Sequence, residues 1–176
     1  MAEEKHLVRN ANAAWIHDDD YPKTLRGLVR SCAHRCWCMI FIVDVNSLED
    51  PEFLVDTALN DLADANWRGV DVRLLIGGSR SNANIRDMTL VARARAQSLG
   101  VDTRLVAARE QRSNHCKTVI VDSHVLLGSH NWSPGAFSNQ TQDSVWIQHD
   151  GLAAWYLHRF EAFWHAAPEA GFDVFR

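Results

Sequence analysis

The residue types best suited to chemistry are concentrated in the segment 113–143. There His115, Lys117 and Asp122 follow the pattern H-x-K-x-x-x-x-D. Positions i and i+2 of a strand point to the same face, so His115 and Lys117 are expected to project together. An imidazole beside an ammonium suits attack on phosphorus, because the nitrogen attacks while the cation neutralises the phosphoryl oxygens.

A second pattern, G-S-x-N, follows at Gly128, Ser129 and Asn131. Ser129 and Asn131 repeat the i, i+2 spacing and would add hydrogen-bond donors for the same phosphoryl oxygens. The short apolar runs 118–121 and 125–127, separated by turn residues, predict the two strands that position both patterns.

The elements that must support these strands alternate along the chain. Helices are predicted to start near Asp20, at Asp50 and at residue 84, and a last helix is predicted over about 151–166. The apolar stripe of the first helix is predicted to end at Cys36. The other predicted strands are 38–45, 70–76, 101–107 and 144–148. Strands alternating with helices, then a cluster of late strands, indicate one α/β domain over 1–176, an α-β-α sandwich with a mixed central sheet.

Length and composition exclude several classes of protein. The chain has 176 residues, 47% hydrophobic and 23% charged, as in ordinary globular proteins. The longest apolar stretch, 36–43, is far shorter than the roughly 20 residues of a membrane-spanning helix. The N-terminus is acidic and polar and does not resemble a secretory signal. We therefore expect a cytoplasmic protein without membrane insertion.

Charge is distributed unevenly around a net value of −4. Residues 72–121 contain nine Lys or Arg against three Asp or Glu, a balance of +6, and the remaining residues total −10. Such a segment favours an anionic ligand, although arginine-rich solvated helix faces would give the same count. The candidate substrate contacts are Arg80, Arg109, Arg112 and, for stacking on nucleobases or for packing its own loop, Trp132.

The cysteines invite comparison with a zinc site, because Cys32, Cys36 and Cys38 surround His34. Two of them lie on the predicted apolar helix stripe and the third opens a buried strand. No second Cys/His pair occurs at a zinc-finger or zinc-ribbon spacing. The sequence therefore predicts no metal site and no cofactor.

Together, H-x-K-x4-D and G-S-x-N resemble the signature of the phospholipase D superfamily. The resemblance covers about residues 20–165 and includes 58–76, which resembles the helix and strand before the motif. It implies a phospholipase D-like fold. Superfamily members with two copies of the motif form the active site within one chain. This chain has one copy, like small bacterial endonucleases of the superfamily and the Zucchini-type mitochondrial enzymes, which work as homodimers.

The resemblance also implies a mechanism that needs no metal. His115 would attack the phosphorus and form a covalent phosphohistidine. The partner subunit's His115 would protonate the leaving oxygen and then activate the hydrolytic water. Lys117, Ser129 and Asn131 of both subunits would hold the phosphate.

Two acidic residues complete the implied site. The residue that accepts a hydrogen bond from the nucleophilic histidine falls on Asp143, where the family more often has Glu, with Gln142 as the adjacent alternative. Asp122 closes the first pattern and is expected to support its loop.

The requirement for a dimer also follows from chemistry. One histidine cannot be nucleophile and acid in the same step, and no second His-Lys pair occurs. His124 and His130 are the nearby candidates for an in-chain acid. The alternatives are that His124 is a surface residue of a turn and that His130 is packed in the protein interior.

The sequence thus predicts a homodimeric, metal-independent nuclease that cleaves DNA or RNA. The single motif and the basic segment favour a nucleic acid substrate. A phospholipid or small-phosphodiester hydrolase is the alternative, disfavoured because Asp150, Glu161 and Glu169 make the last helix a poor partner for anionic lipid. A catalytically silent nucleic-acid-binding subunit is the other alternative.

Overall fold

A seven-stranded mixed sheet forms the centre of the computed structural model, which describes residues 7–45, 52–79, 82–106 and 114–167. The strands are β1 (Asn12–His17), β2 (Arg35–Ile40), β3 (Asp71–Ile76), β4 (Asp102–Leu105), β5 (Lys117–Val121), β6 (His124–Gly128) and β7 (Asp143–Gln148). Their order is β1-β7-β6-β5-β2-β3-β4. The strands β2, β3 and β4 are parallel, and every other neighbouring pair is antiparallel.

Helices cover both faces of this sheet. They are α1 (Asp20–Ser31), α2 (Leu54–Trp67), α3 (Ala83–Ser98), α4 (Pro134–Ser138) and α5 (Asp150–Ala166). The first four contribute to one apolar core, which includes Leu25, Leu59 and Phe137. The last helix, α5, contributes Phe160 and Trp164 to a second core on the opposite face. The predicted α-β-α sandwich with a mixed sheet is therefore confirmed.

The register of the strands brings several strand ends to one edge of the sheet. Ile40 at the end of β2 pairs with Lys117 at the start of β5 and with Ile76 at the end of β3. Gly128 at the end of β6 pairs with Ser144 of β7. Residues that follow β2, β3 and β6, or precede β5 and β7, therefore meet at this edge, which we call the site edge.

The prediction that the first helical stripe extends to Cys36 is wrong. The helix α1 ends at Ser31, and Cys36 lies inside β2. The backbone after the helix is bound instead by Asp122, a contact across the sequence that no local pattern reveals. The apolar spacing continues to Cys36 because this residue of β2 faces the same core as the apolar stripe of α1.

Two elements were not predicted. The strand β1 is an edge strand with mostly exposed side chains, so it lacks the alternation that indicates a half-buried strand. The helix α4 has five residues, too few for a periodic pattern. The predicted start of the second helix at Asp50 lies outside the described residues. Among the described residues, no helix is both long and apolar enough to span a membrane.

Candidate active site

His115 and Lys117 form a bonded pair where the chain enters β5. The Lys117 Nζ atom lies 2.8 Å from Nδ1 of His115 and 3.0 Å from the carbonyl oxygen of the same residue. Lys117 is 7% exposed, whereas the His115 ring faces solvent at the site edge. The two side chains project together, as their i, i+2 spacing predicted.

The surroundings of this pair favour a neutral imidazole. Partial burial, and then the charge of Lys117, lower the pKa of His115 below its ordinary value of 6.5. Burial also lowers the pKa of the Lys117 ammonium. An ammonium only donates hydrogen bonds, so Nδ1 of His115 is the acceptor in this pair. At neutral pH the imidazole therefore has a lone pair, which a nucleophile requires.

Phe41 and Gly77 fix the position of His115 from the side of β2 and β3. The Phe41 ring lies 4.3 Å from the His115 ring and 5.2 Å from Lys117 Nζ. A Cβ atom at Gly77 would lie 2.8 Å from the Asn114 carbonyl oxygen and 2.9 Å from Phe41 Cα, so the close backbone approach requires glycine here. Sequence reasoning missed Phe41, although its place at the end of an apolar strand was a usable signal.

Ser129 lies at the same edge, directly after β6. Its hydroxyl donates to Oε1 of Gln142 and accepts the N–H of Asp143 at 3.0 Å. A Cβ atom at Gly128 would collide with the backbone of Asp143 and Ser144, which explains the glycine of G-S-x-N. The predicted hydroxyl thus stands at the site edge, with Gln142 beside it.

Asn131 is oriented by backbone, and its neighbour Trp132 is buried. The Asn131 Oδ1 atom accepts the N–H of Ile42 at 3.2 Å, which leaves Nδ2 to act as a donor toward a ligand. Trp132 is fully buried, and its indole N–H donates to the Tyr21 hydroxyl at 3.3 Å. The predicted stacking of Trp132 on nucleobases is therefore wrong, because the ring belongs to the core.

Asp122 lies at the other end of β5, about 16 Å along the strand from Lys117. Its carboxylate accepts the N–H groups of Ala33, His34 and Arg35 at 2.9, 3.0 and 2.9 Å. Burial acts to raise the pKa of Asp122, but these three bonds hold it below its ordinary value of 3.8. Asp122 thus ties the turn before β2 to the turn after β5 and lies away from the site edge.

A family model described as "Cardiolipin synthase, PLD-like domain" matches residues 25–164. The chain belongs to this PLD-like family. No protein of curated function matches the sequence significantly.

Solved structures share the fold of this PLD-like domain at low sequence identity. Nuc from Salmonella typhimurium, a phospholipase D family member, is 20% identical with a TM-score of 0.72, covering 90% of this chain and 97% of Nuc. NucT from Helicobacter pylori is 15% identical with a TM-score of 0.63, covering 89% and 98%. TrmBL2, an archaeal chromatin protein that binds DNA, is 13% identical with a TM-score of 0.53, covering 94% of this chain and 56% of TrmBL2.

In the PLD-like domain, the carboxylate of Asp143 pairs with a histidine that the sequence analysis did not single out. Oδ1 of Asp143 lies 2.9 Å from Nδ1 of His17, directly across the pairing of β1 and β7. The strand β6 lies between β7 and β5. This carboxylate is bonded to His17, and the expected bond from His115 to Asp143 stays a prediction. His17 was missed because β1 was missed.

The two in-chain acid candidates lie in other environments. His130 is fully buried, stacks on Tyr21 at 4.2 Å and contacts the Ser144 hydroxyl at 2.8 Å, which confirms the alternative of a packed histidine. His124 begins β6 at the end of that strand opposite Gly128. The His130 ring is thus enclosed in the core behind the site edge, and the His124 ring lies at the opposite end of the sheet.

The remaining predicted contacts, Arg80, Arg109 and Arg112, lie outside the described residues. Among the residues that are described, no three His, Cys, Asp or Glu side chains are grouped as metal ligands would be. Cys36 and Cys38 are buried with their sulfur atoms 3.8 Å apart, and both are free thiols.

Proposed function

We propose that this PLD-like domain is a homodimeric phosphodiesterase that cleaves DNA or RNA through a phosphohistidine on His115, without a metal ion. One observation carries the proposal: an exposed His115 with a lowered pKa is bonded to the buried ammonium of Lys117. Ser129 and Asn131 supply donors from the adjacent strand end at the same edge.

In the first step, the His115 lone pair attacks phosphorus and forms a P–N bond while the P–O bond to the leaving group breaks. In the free protein, the Lys117 ammonium donates a hydrogen bond to Nδ1 of His115. When substrate binds, the ammonium donates to the phosphate oxygens instead, and the lone pair of this nitrogen becomes available. The partner subunit's His115, protonated, gives its proton to the leaving oxygen. Donors of Lys117, Ser129 and Asn131 stabilise the charge on the remaining phosphoryl oxygens.

In the second step, the partner subunit's His115 is neutral and removes a proton from water. The water oxygen bonds to phosphorus, the P–N bond breaks, and its electron pair returns to His115. The product is a phosphomonoester, and both histidines regain their starting states. Because each imidazole has a different task in each step, two copies of the chain are needed.

Nucleic acid is the substrate class that we favour. The matches to Nuc and NucT extend over nearly the whole length of both proteins, and the basic segment 72–121 suits a polyanion. Phosphate contacts by Arg80, Arg109 and Arg112 remain part of this proposal. The description of the family model, which names cardiolipin synthase, favours a phospholipid phosphodiester as the second candidate.

The test uses labelled single- and double-stranded DNA and RNA with excess EDTA. Wild type is compared with His115→Ala and, as a matched control, with His165→Ala on the exposed side of α5. Cleavage by wild type and the control but not by His115→Ala supports the proposal. Cleavage by all three overturns the assignment of His115. Hydrolysis of phospholipid without oligonucleotide cleavage overturns the substrate class, and salt-sensitive oligonucleotide binding without turnover indicates a silent binding subunit.

A further inference from the structure

A cavity of about 410 Å³ lies between α1, α2 and α4, on the side of the first core, and we call it the helix cavity. Its apolar wall is formed by Leu25, Val29, Leu54, Ala58 and Phe137. Pockets for small molecules have volumes of about 300 to 1,000 Å³ and mostly apolar walls, with a few polar groups that orient the ligand. The helix cavity therefore has the size and the lining of such a pocket.

One side of the helix cavity carries a buried carboxylate. Asp61 is 4% exposed and lies on the buried side of α2, together with Ala58 and Leu62. Its Oδ1 atom accepts the Nε–H of Arg30 at 3.0 Å, and its Oδ2 atom lies 3.2 Å from Nε of Arg26 in an ion pair. Within the part of the chain that the structure describes, Oδ2 accepts no hydrogen bond, so the contact with Arg26 is electrostatic only.

The packing of α1 on α2 does not explain this carboxylate. A buried ion pair often stabilises a protein no more than apolar side chains of similar volume do, and a buried oxygen without a hydrogen bond costs free energy. Asp61 lines the helix cavity, so a molecule bound there can donate a hydrogen bond to Oδ2 while Arg30 stays on Oδ1. A ligand with an N–H group would thus supply the donor that Oδ2 lacks.

The charges around the helix cavity favour a cation. The lining contains three carboxylates and two cationic side chains, a net charge of −1: Asp19, Glu52 and Asp61 against Lys23 and Arg26. Lys23 lies 3.6 Å from the Asp19 carboxylate, so both cations of the lining have an acidic partner within the lining itself. A singly charged cation would neutralise this lining, whereas an anion would add to its negative charge.

We propose that the helix cavity binds an organic cation, a primary amine with an apolar body. The ammonium donates to Oδ2 of Asp61, and the apolar body packs against Leu25, Leu54 and Phe137. A hydrogen bond between two charged groups is stronger than one to a neutral group, so an amine binds more tightly than an alcohol of the same shape. This site uses neither His115 nor Lys117, and it does not depend on the proposed function.

Isothermal titration calorimetry with three probes of one carbon skeleton tests this site: phenylbutylamine, phenylbutanol and phenylbutyrate. Wild type should bind the amine at least about tenfold more tightly than the alcohol, and the anion least tightly. Asp61→Asn keeps the size of the side chain and removes its charge, so the preference for the amine over the alcohol should fall to within about threefold. Its partners Arg26 and Arg30 are half exposed and remain hydrated, so we expect this variant to fold.

Two further variants separate the cavity from the charge. Ala58→Leu fills the cavity and leaves Asp61 in place, so it should weaken the binding of both the amine and the alcohol at least about tenfold. The matched control is Asp64→Asn, at an exposed position one turn further along α2, which should bind all three probes as wild type does. Circular dichroism and thermal unfolding show whether each variant is folded.

Several outcomes would overturn this site. Wild type that binds none of the probes, binds the amine and the alcohol equally, or prefers the anion would do so without any variant. A preference for the amine that persists in Asp61→Asn, or amine binding that is unchanged in Ala58→Leu, would place the bound amine elsewhere on the protein. Phosphodiester cleavage is not part of this measurement, so a failure of the proposed function leaves the result unaffected.

Discussion

The ammonium of Lys117 lies 2.8 Å from Nδ1 of His115, so the protonation of the imidazole is tied to the lysine beside it. Burial and this neighbouring charge lower the pKa of His115, which favours the neutral imidazole that the proposed nucleophilic attack requires. The proposed reaction also needs one protonated imidazole per phosphate. In the proposed dimer, two equivalent histidines would face one phosphate and titrate as a coupled pair, and the state with a single shared proton would be the reactive one.

Replacement of Lys117 by Met is therefore expected to raise the pKa of His115. Removing the cation removes one of the two causes that lower this pKa, while burial remains. An NMR titration of the His115 ring protons should give a wild-type pKa below 6.5 and a higher value in Lys117→Met. His115→Asn identifies the resonance. Equal pKa values in the two proteins would contradict the electrostatic link between these residues.

Gly77→Ala is expected to disturb His115, the proposed nucleophile, through its neighbours. The new Cβ atom would lie 2.8 Å from the Asn114 carbonyl oxygen and 2.9 Å from Phe41 Cα, so the backbone on both sides of the His115 ring must move. We expect a loss of about 1 to 3 kcal/mol in the free energy of unfolding. Phosphodiester turnover should fall by at least about tenfold, since small displacements at a reacting group are costly.

A matched control exists in α1, where a Cβ atom at Gly27 would meet nothing within 4 Å. Gly27→Ala should keep wild-type turnover and raise stability by up to about 1 kcal/mol, because alanine favours a helix. Thermal unfolding and turnover are measured on both variants. Gly77→Ala should lose stability and turnover, and Gly27→Ala should lose neither. If Gly77→Ala behaved like Gly27→Ala, the close contact at Phe41 would have no role in placing His115.

The sequence predicted the strands around both motifs because their apolar runs are short and bounded by turn residues. It placed Lys117 and His115 on one side, since alternation in a strand is a local property. It misplaced Cys36, because the end of α1 depends on the carboxylate of Asp122, which is distant in sequence. It left Trp132 open between stacking on nucleobases and packing its own loop, because the burial of an aromatic ring after a strand depends on how α1 and α4 pack around it.

Asp122→Asn is expected to destabilise the fold in a pH-dependent way. Asparagine tolerates the left-handed backbone at this position, where φ is 50°, but it accepts backbone N–H groups less strongly than a carboxylate does. We expect a loss of about 1 to 2 kcal/mol at pH 7. The folded-state pKa is held below 3.8, so the contribution of the carboxylate is present above that pH and is lost as the pH falls below it.

Urea unfolding at pH 7 and at pH 3 checks this expectation. The difference between wild type and Asp122→Asn should shrink at the lower pH. The control is Asp87→Asn, since the Asp87 side chain is 72% exposed and lies 3.8 Å from Arg86. An equal loss of stability at both pH values would show that the charge of Asp122 has no part in holding the turn before β2.

Asn131 and Asp143 lie near each other along the sequence, but we expect different results from changing them. Asn131→Ala removes an oriented donor at the site edge, and loss of such a donor lowers kcat by about 100- to 1000-fold. The Asp143 carboxylate is exposed and paired with His17, so Asp143→Asn should change kcat less than about tenfold. Single-turnover rates at saturating substrate make the comparison. A loss in Asp143→Asn as large as in Asn131→Ala would mean that its carboxylate turns toward the phosphate during the reaction.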